Sequence, residues 1–139
     1  MPDNDRAEVL RRALDACIRG DVGPLPELFH TDVSGWSPNM LVTSLDELTE
    51  TVGDREDSLT DVSVEVNSLD VFGNKGFVEY RVRATFSGPF VIGENTAIEP
   101  NGRELLLGAA LVAEFADGKI SAFRNYFDEG VLLEQMLAA

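Results

Sequence analysis

Residues 61 to 86 restrict the fold most, because apolar and polar side chains alternate along two runs separated by a turn sequence. Val62, Val64 and Val66 alternate with Ser63, Glu65 and Asn67, and the pattern continues through Leu69 and Val71. A period of two puts the valines on one face of a strand and the polar residues on the other. GlyAsnLysGly at 73 to 76 then supplies residues suited to positive φ. Beyond it Val78, Tyr80, Val82, Ala84 and Phe86 alternate with Glu79, Arg81, Arg83 and Thr85. The pair predicts a long antiparallel hairpin with one apolar face.

Upstream, the period is helical. Val9, Leu10, Ala13, Leu14, Cys17 and Ile18 share one face of a helix over 5 to 19, with Asn4 or Asp5 as cap and Gly20 as stop. ValGlyProLeuProGluLeuPhe predicts a short second helix burying Leu25, Leu28 and Phe29. A turn through His30 and Asp32 follows, and ValSerGlyTrpSerPro reads as an edge strand or extended segment because it ends in proline. Ser44 and Glu47 form a capping box that opens a third helix, with Leu45 and Leu48 inward and Gly53 at its end.

Residues 88 to 103 hold three glycines and two prolines and are longer than most connections, which suits a lid or a cavity rim. GluLeuLeuLeuGlyAlaAlaLeuValAlaGluPhe, from 104, is apolar at nearly every position, so both faces of that strand need cover. A turn at 116 to 118 leads into a last strand, where Phe123, Asn125 and Phe127 share one face and Ile120, Ala122, Arg124 and Tyr126 the other. Asp128 is the natural N-cap of a closing helix. Helices first and a strand meander after give an α+β domain, with helices on one face of a curved antiparallel sheet. Leu106, Ala110 and Val112 on the second face predict a homodimer through the sheet.

The chain has 139 residues, one cysteine, one histidine and a formal net charge of −14. That length fits one domain, residues 1 to 139, able to bury roughly two thirds of the surface its unfolded chain exposes. The acidity disfavours nucleic acid and anionic membrane surfaces as partners. Cys17 and His30 cannot make a zinc site, and the acidic run Asp54, Glu56, Asp57, Asp61 lacks calcium-loop spacing, so neither a metal nor another cofactor is expected. With no signal-like or membrane-length apolar stretch, a cytoplasmic location is the default.

The helix order, HisThrAsp before TrpSerPro, AsnGlyArg leading into an apolar strand, AlaAspGlyLysIle, PheArgAsnTyrPheAsp and LeuLeuGluGlnMet together resemble the SnoaL-like branch of the nuclear-transport-factor-2-like superfamily, over nearly the whole chain. The resemblance implies a cone-shaped curved antiparallel sheet with three N-terminal helices and a short C-terminal helix, a cystatin-like α+β barrel. Relatives include small polyketide cyclases, limonene epoxide hydrolases and ketosteroid isomerases, so the fold alone does not name a reaction. The acid/base aspartate of the cyclases and the water-activating aspartate of the epoxide hydrolases both fall on Asn125. The isomerase base falls on Ser37, the cyclase histidine on Leu111, and the Arg-x-Asp pair of the hydrolases at best on Arg81 and Arg83. Each catalytic carboxylate that can be placed is missing.

An asparagine amide neither gives nor takes a proton near neutral pH, and a positioned acid or base contributes roughly 100- to 10,000-fold in rate. The chain is therefore expected to be a binding protein, holding a hydrophobic or aromatic small molecule in an apolar pocket with an amide at its floor. The alternative is an isomerase, cyclase or epoxide hydrolase-like enzyme using a non-standard acid/base. Candidates for chemistry are Asn125, Asp128 and Tyr80, with His30 a weaker one. Candidates for ligand contact are Trp36, Ser37, Leu107, Leu111, Phe123 and Phe127. Tyr80 and Trp36 each fit plain packing as well.

Overall fold

A computed structural model of the chain describes residues 3–93 and 95–139. Helix α1 spans Asp3–Arg19, so Asn4 and Asp5 lie inside its first turn instead of capping it. Its apolar stripe is buried as the spacing predicts, with Leu10, Ala13 and Leu14 sealed. Gly20 ends it at φ +73°, and the Asp21 N–H reaches back to the Ala16 carbonyl at 2.9 Å, the closing bond of a Schellman turn. A side chain at Gly20 would also strike the Glu56 backbone, its Cβ falling 2.6 Å from the Cα.

The other helices are α2 (Leu25–Leu28), α3 (Leu45–Asp54) and α4 (Glu129–Met136). At α3 the Ser44 side chain accepts from the Glu47 N–H at 3.1 Å, as expected of a cap. The Glu47 carboxylate does not complete the box; it accepts from the N–H and hydroxyl of Thr43, at 2.6 and 2.7 Å, one residue further out. Those two bonds, the hydroxyl first, pull its pKa below the usual carboxylate value. The helix continues past Gly53 to Asp54.

The strands are β1 (Phe29–Ser37), β2 (Met40–Val42), β3 (Leu59–Phe72), β4 (Lys75–Phe86), β5 (Phe90–Gly93), β6 (Thr96–Ile98), β7 (Glu104–Ala116) and β8 (Lys119–Phe127). Six of them form one sheet in the order β2-β1-β8-β7-β4-β3, and β5 and β6 pair separately. The β3–β4 hairpin turns between Phe72 and Lys75 with Gly73 alone at positive φ. In β4 Val78, Tyr80, Ala84 and Phe86 are buried while Glu79, Arg81 and Arg83 are exposed, as the alternation predicts.

Three expectations need correction. First, β1 begins at Phe29, so His30 and Asp32 lie in a strand and not in a turn. Second, β1 is an inner strand: it pairs antiparallel with β2 and parallel with β8, and β2 holds the edge. Pro38 sits just past its end, where no ladder bond is asked of it. Third, Ile120 does not share the outer face. Glu114 pairs with Ala122 but Phe115 with Ile120, so Ser121 is an extra residue and Ile120 turns inward to full burial.

The segment expected to form a rim becomes the β5–β6 hairpin, tied down by Ser58, whose hydroxyl donates to the Pro89 carbonyl at 2.7 Å. Beyond Phe127, β7 has no strand neighbour on the β8 side. There Gln135 of α4 acts as a surrogate, accepting from the Leu106 N–H at 2.8 Å and donating to its carbonyl at 3.0 Å. Asn101 donates to the carbonyls of Gln135, Met136 and Ala138 at the C-terminal end of the same helix. These bonds hold α4 against the mouth of the cone, with Leu132 and Met136 inward. No helix among the described residues is long and apolar enough to cross a membrane.

Candidate functional site

Between the helices and the concave face of the sheet lies a cavity of about 210 Å³. A dry cavity of roughly 150 Å³ accepts benzene, so this one has room for a ligand somewhat larger than a single ring. Leu107 and Leu111 of β7, Phe123 and Phe127 of β8, and Ile18 and Leu48 of the helices make much of its wall. The tip of the Phe123 ring reaches over Gly35, where a Cβ would fall 2.2 Å from its Cζ, so the absence of a side chain on β1 makes room for that ring.

Two polar groups interrupt the apolar wall. On the sheet, the Tyr80 hydroxyl donates to Asn125 Oδ1 at 2.8 Å. The two residues meet across β7, Tyr80 pairing with Ala109 and Asn125 with Leu111. This bond uses the amide oxygen and leaves the Nδ2 hydrogens for the cavity. At the edge, Ser37 donates to Asn39 Oδ1 at 3.0 Å, and Arg55 at the end of α3 reaches the same Asn39.

Titration in the wall is displaced far from neutrality. Burial pushes the Tyr80 phenol up to about 12; the Asn125 bond opposes that and the nearby Cys17 thiol adds to it. Cys17 keeps surface toward the cavity but is ringed by protein, and loss of water pushes its thiol up to about 12. Desolvation lowers the Arg55 pKa, with Asp54 and Glu129 pulling it back. No Asp, Glu or His occurs among the described residues that line the cavity.

The structure brings together Asn125, Tyr80, Ser37, Leu107, Leu111, Phe123 and Phe127. Two expected members stand outside. Trp36 is on the opposite face of β1 from Ser37, 41% exposed, its ring 5.3 Å from that of Tyr126 on the outer sheet. Strand parity forbids both neighbours from facing one cavity. Asp128 is exposed and caps α4, accepting from the Val131 N–H at 3.2 Å, which directs its carboxylate along the helix axis. His30 is also outside, 3.7 Å from the Asp117 carboxylate. Cys17, Asn39 and Arg55 are wall residues that sequence reasoning missed. Cys17 was legible from its helix stripe; Arg55, within an acidic run, reads as a solvated residue.

A small cone of sheet roofed by helices defines an α+β domain with an internal cavity. The family model of the SnoaL-like domain matches residues 10–123, and the chain belongs to that family. No curated protein matches the chain. Solved structures of the same fold include a candidate SnoaL-like polyketide cyclase from Jannaschia sp. CCS1, 16% identical over 99% of this chain and 94% of that one, with a TM-score of 0.84. TsrD from Streptomyces laurentii is 18% identical over 100% and 99%, with a TM-score of 0.82. An epoxide hydrolase of the LEH-like kind from M. tuberculosis is 12% identical over 97% and 91%, with a TM-score of 0.72. Likeness at these identities carries the fold and not the reaction.

Proposed function

We propose that this SnoaL-like domain binds a hydrophobic or aromatic small molecule in the cavity and lacks the acid/base residues of its catalytic relatives. The observation that carries this reading is the wall itself: of its described residues, only Cys17, Tyr80 and Arg55 titrate, and both the thiol and the phenol hold their protons to about 12. General acid/base work near neutral pH needs a group poised there. Calorimetric titration with monoterpenes and one- or two-ring polyketide-like aromatics tests it; the expected result is saturable 1:1 binding by at least one class, and absence of any binder removes the reading.

A second reading is favoured by the Tyr80–Asn125 bond. The Asn125 Nδ2 hydrogens, on an amide polarised by the Tyr80 hydroxyl, can stabilise a carbonyl or enolate oxygen, so an isomerase or cyclase fits the same wall provided that water or the substrate itself takes up the α-proton. Turnover that survives both Tyr80→Phe and Asn125→Ala would reject it. A homodimer through the outer sheet is also proposed, because Leu106, Phe77, Tyr126 and Trp36 leave that face partly apolar and exposed. Sedimentation as a monomer at micromolar concentration would count against it.

Asn125→Asp tests the placement directly. Loss of water among apolar neighbours should raise the new carboxyl to about 5 or 6, the Tyr80 hydroxyl only partly offsetting the rise. A carboxyl raised in the fold is most stabilising, relative to the unfolded chain, below its ordinary value of about 4; the variant should therefore lose stability as pH climbs through 4 to 6, by about 2 kcal/mol at neutrality. Carbon-detected NMR titration reads this, and an ordinary carboxylate value would contradict a cavity-facing side chain.

A further inference from the structure

Arg55 is the only cationic side chain among the described residues of the cavity wall. Its backbone caps α3, and its side chain runs inward between Asn39 and the β5 strand. Nη1 donates to Asn39 Oδ1 at 3.5 Å, and Nη2 to the carbonyls of Asn39 and Val91, both at 3.4 Å. These are the long end of hydrogen-bond geometry, and all three acceptors are neutral. The guanidinium carbon stands 4.5 Å over the Phe90 ring, which fixes the plane of the fork without neutralising it.

No carboxylate among the described residues lies within ion-pair distance of Arg55, in a chain with a formal net charge of −14. Elsewhere the same chain pairs Arg124 with Glu114 at 3.0 Å and Arg12 with Glu27 at 2.7 Å on the surface, where pairing contributes little. Arg55, largely withdrawn from water, feels Asp54 and Glu129 only from beyond ion-pair distance, so an anion placed against it has more to gain than one at the surface. Of its five N–H groups, Nε–H and one on Nη1 have no protein acceptor among the described residues; Nη1 lies on the Cδ side of the guanidinium and Nε–H points the other way, so each offers a single bond. Either can give a charge-assisted bond to a carboxylate oxygen, stronger than the three long bonds to neutral oxygens.

Building on the apolar-pocket reading, we infer that Arg55 is the anion receptor of the cavity and that the ligand is an amphipathic monocarboxylic acid. Its ring or branched hydrocarbon body fills the space against Leu111 and Phe123, and its carboxylate accepts from a free N–H of Arg55. The cavity volume of about 210 Å³ limits the body to one or two rings. The uncharged remainder of the wall would not hold a second anionic group, so dicarboxylates are excluded.

The test compares 2-naphthoate with 2-naphthamide, a neutral probe of nearly the same shape, by calorimetry at neutral pH. The wild type should bind the acid roughly 10- to 100-fold more tightly, the range expected for a charge-assisted pair replacing a neutral contact. Arg55→Met keeps the length and apolar contact of the side chain, and should bring the two affinities within about threefold, chiefly by weakening the acid. Equal or better binding of the amide by the wild type overturns the inference and leaves the apolar-pocket reading standing. A preference for the acid that survives Arg55→Met overturns the assignment to this residue. Binding of neither probe, nor of any neutral hydrophobic ligand, overturns both. The wild-type comparison needs no variant, so a poorly folding Arg55→Met does not blunt it.

Discussion

Between about pH 9 and pH 12 the folded protein is expected to lose several kcal/mol of stability through two side chains of the cavity wall. Released by unfolding, Cys17 ionises with its ordinary value of 9.0, whereas in the fold it is pushed up to about 12. Tyr80 moves from 10.0 to about 12. Both groups bind their protons more tightly when folded. Their contribution is therefore complete below pH 9, declines as pH passes the ordinary values, and is gone above the folded ones. The thiol corresponds to on the order of 4 kcal/mol and the phenol to about 3. The Tyr80 shift already includes the charge of Cys17, so the joint loss should be nearer the larger figure than the two together.

Urea midpoints at about pH 8, 10 and 11 should fall in sequence. Cys17→Ala should delay the onset until the phenol begins to ionise, and adding Tyr80→Phe should flatten the profile up to the point where lysines titrate. A midpoint unchanged from pH 8 to 11 in the wild type would mean that neither group is held away from water.

Truncating Phe86 is the second large effect. Its side chain is fully buried at the end of β4, in a cluster with Phe90, Ile98, Leu105, Leu132 and Met136, next to the cavity but not part of its lining. Around it the backbone is already satisfied: the Phe86 N–H donates to the Arg103 carbonyl and the Gly102 N–H to that of Phe86, each at 2.9 Å. Phe86→Ala therefore removes packing without orphaning a polar group, and should cost about 3 to 5 kcal/mol, lowering Tm by roughly 10 to 20 °C. The same truncation at Phe72, 69% exposed at the hairpin tip, should change stability by no more than about 0.5 kcal/mol. A similar loss at both positions would contradict the second core cluster.

Much of the architecture is local enough to read from residue order. The alternation of Val78 to Phe86, the stripe from Val9 to Ile18, and the caps Ser44 and Asp128 depend only on which side chains repeat at which period and which oxygens meet free N–H groups. Part of the cavity wall was legible for the same reason: Leu107, Leu111, Phe123, Asn125 and Phe127 share parity on adjacent strands. Parity then failed at Ile120, because one extra residue reverses a strand's facing. The sequence carries no mark of where the partner strand will demand it.

Residue order thus determined which chain segments become helix or strand, and an amide at 125. Only the tertiary structure decided that β1 lies inside the sheet beside β8, that Trp36 and Asp128 leave the cavity, and that Arg55 enters it. The division has a physical cause. Period and capping act over one or two turns of chain, while strand pairing and the path of a long flexible arginine are settled by groups such as Asn39 and Val91, 16 and 36 residues away.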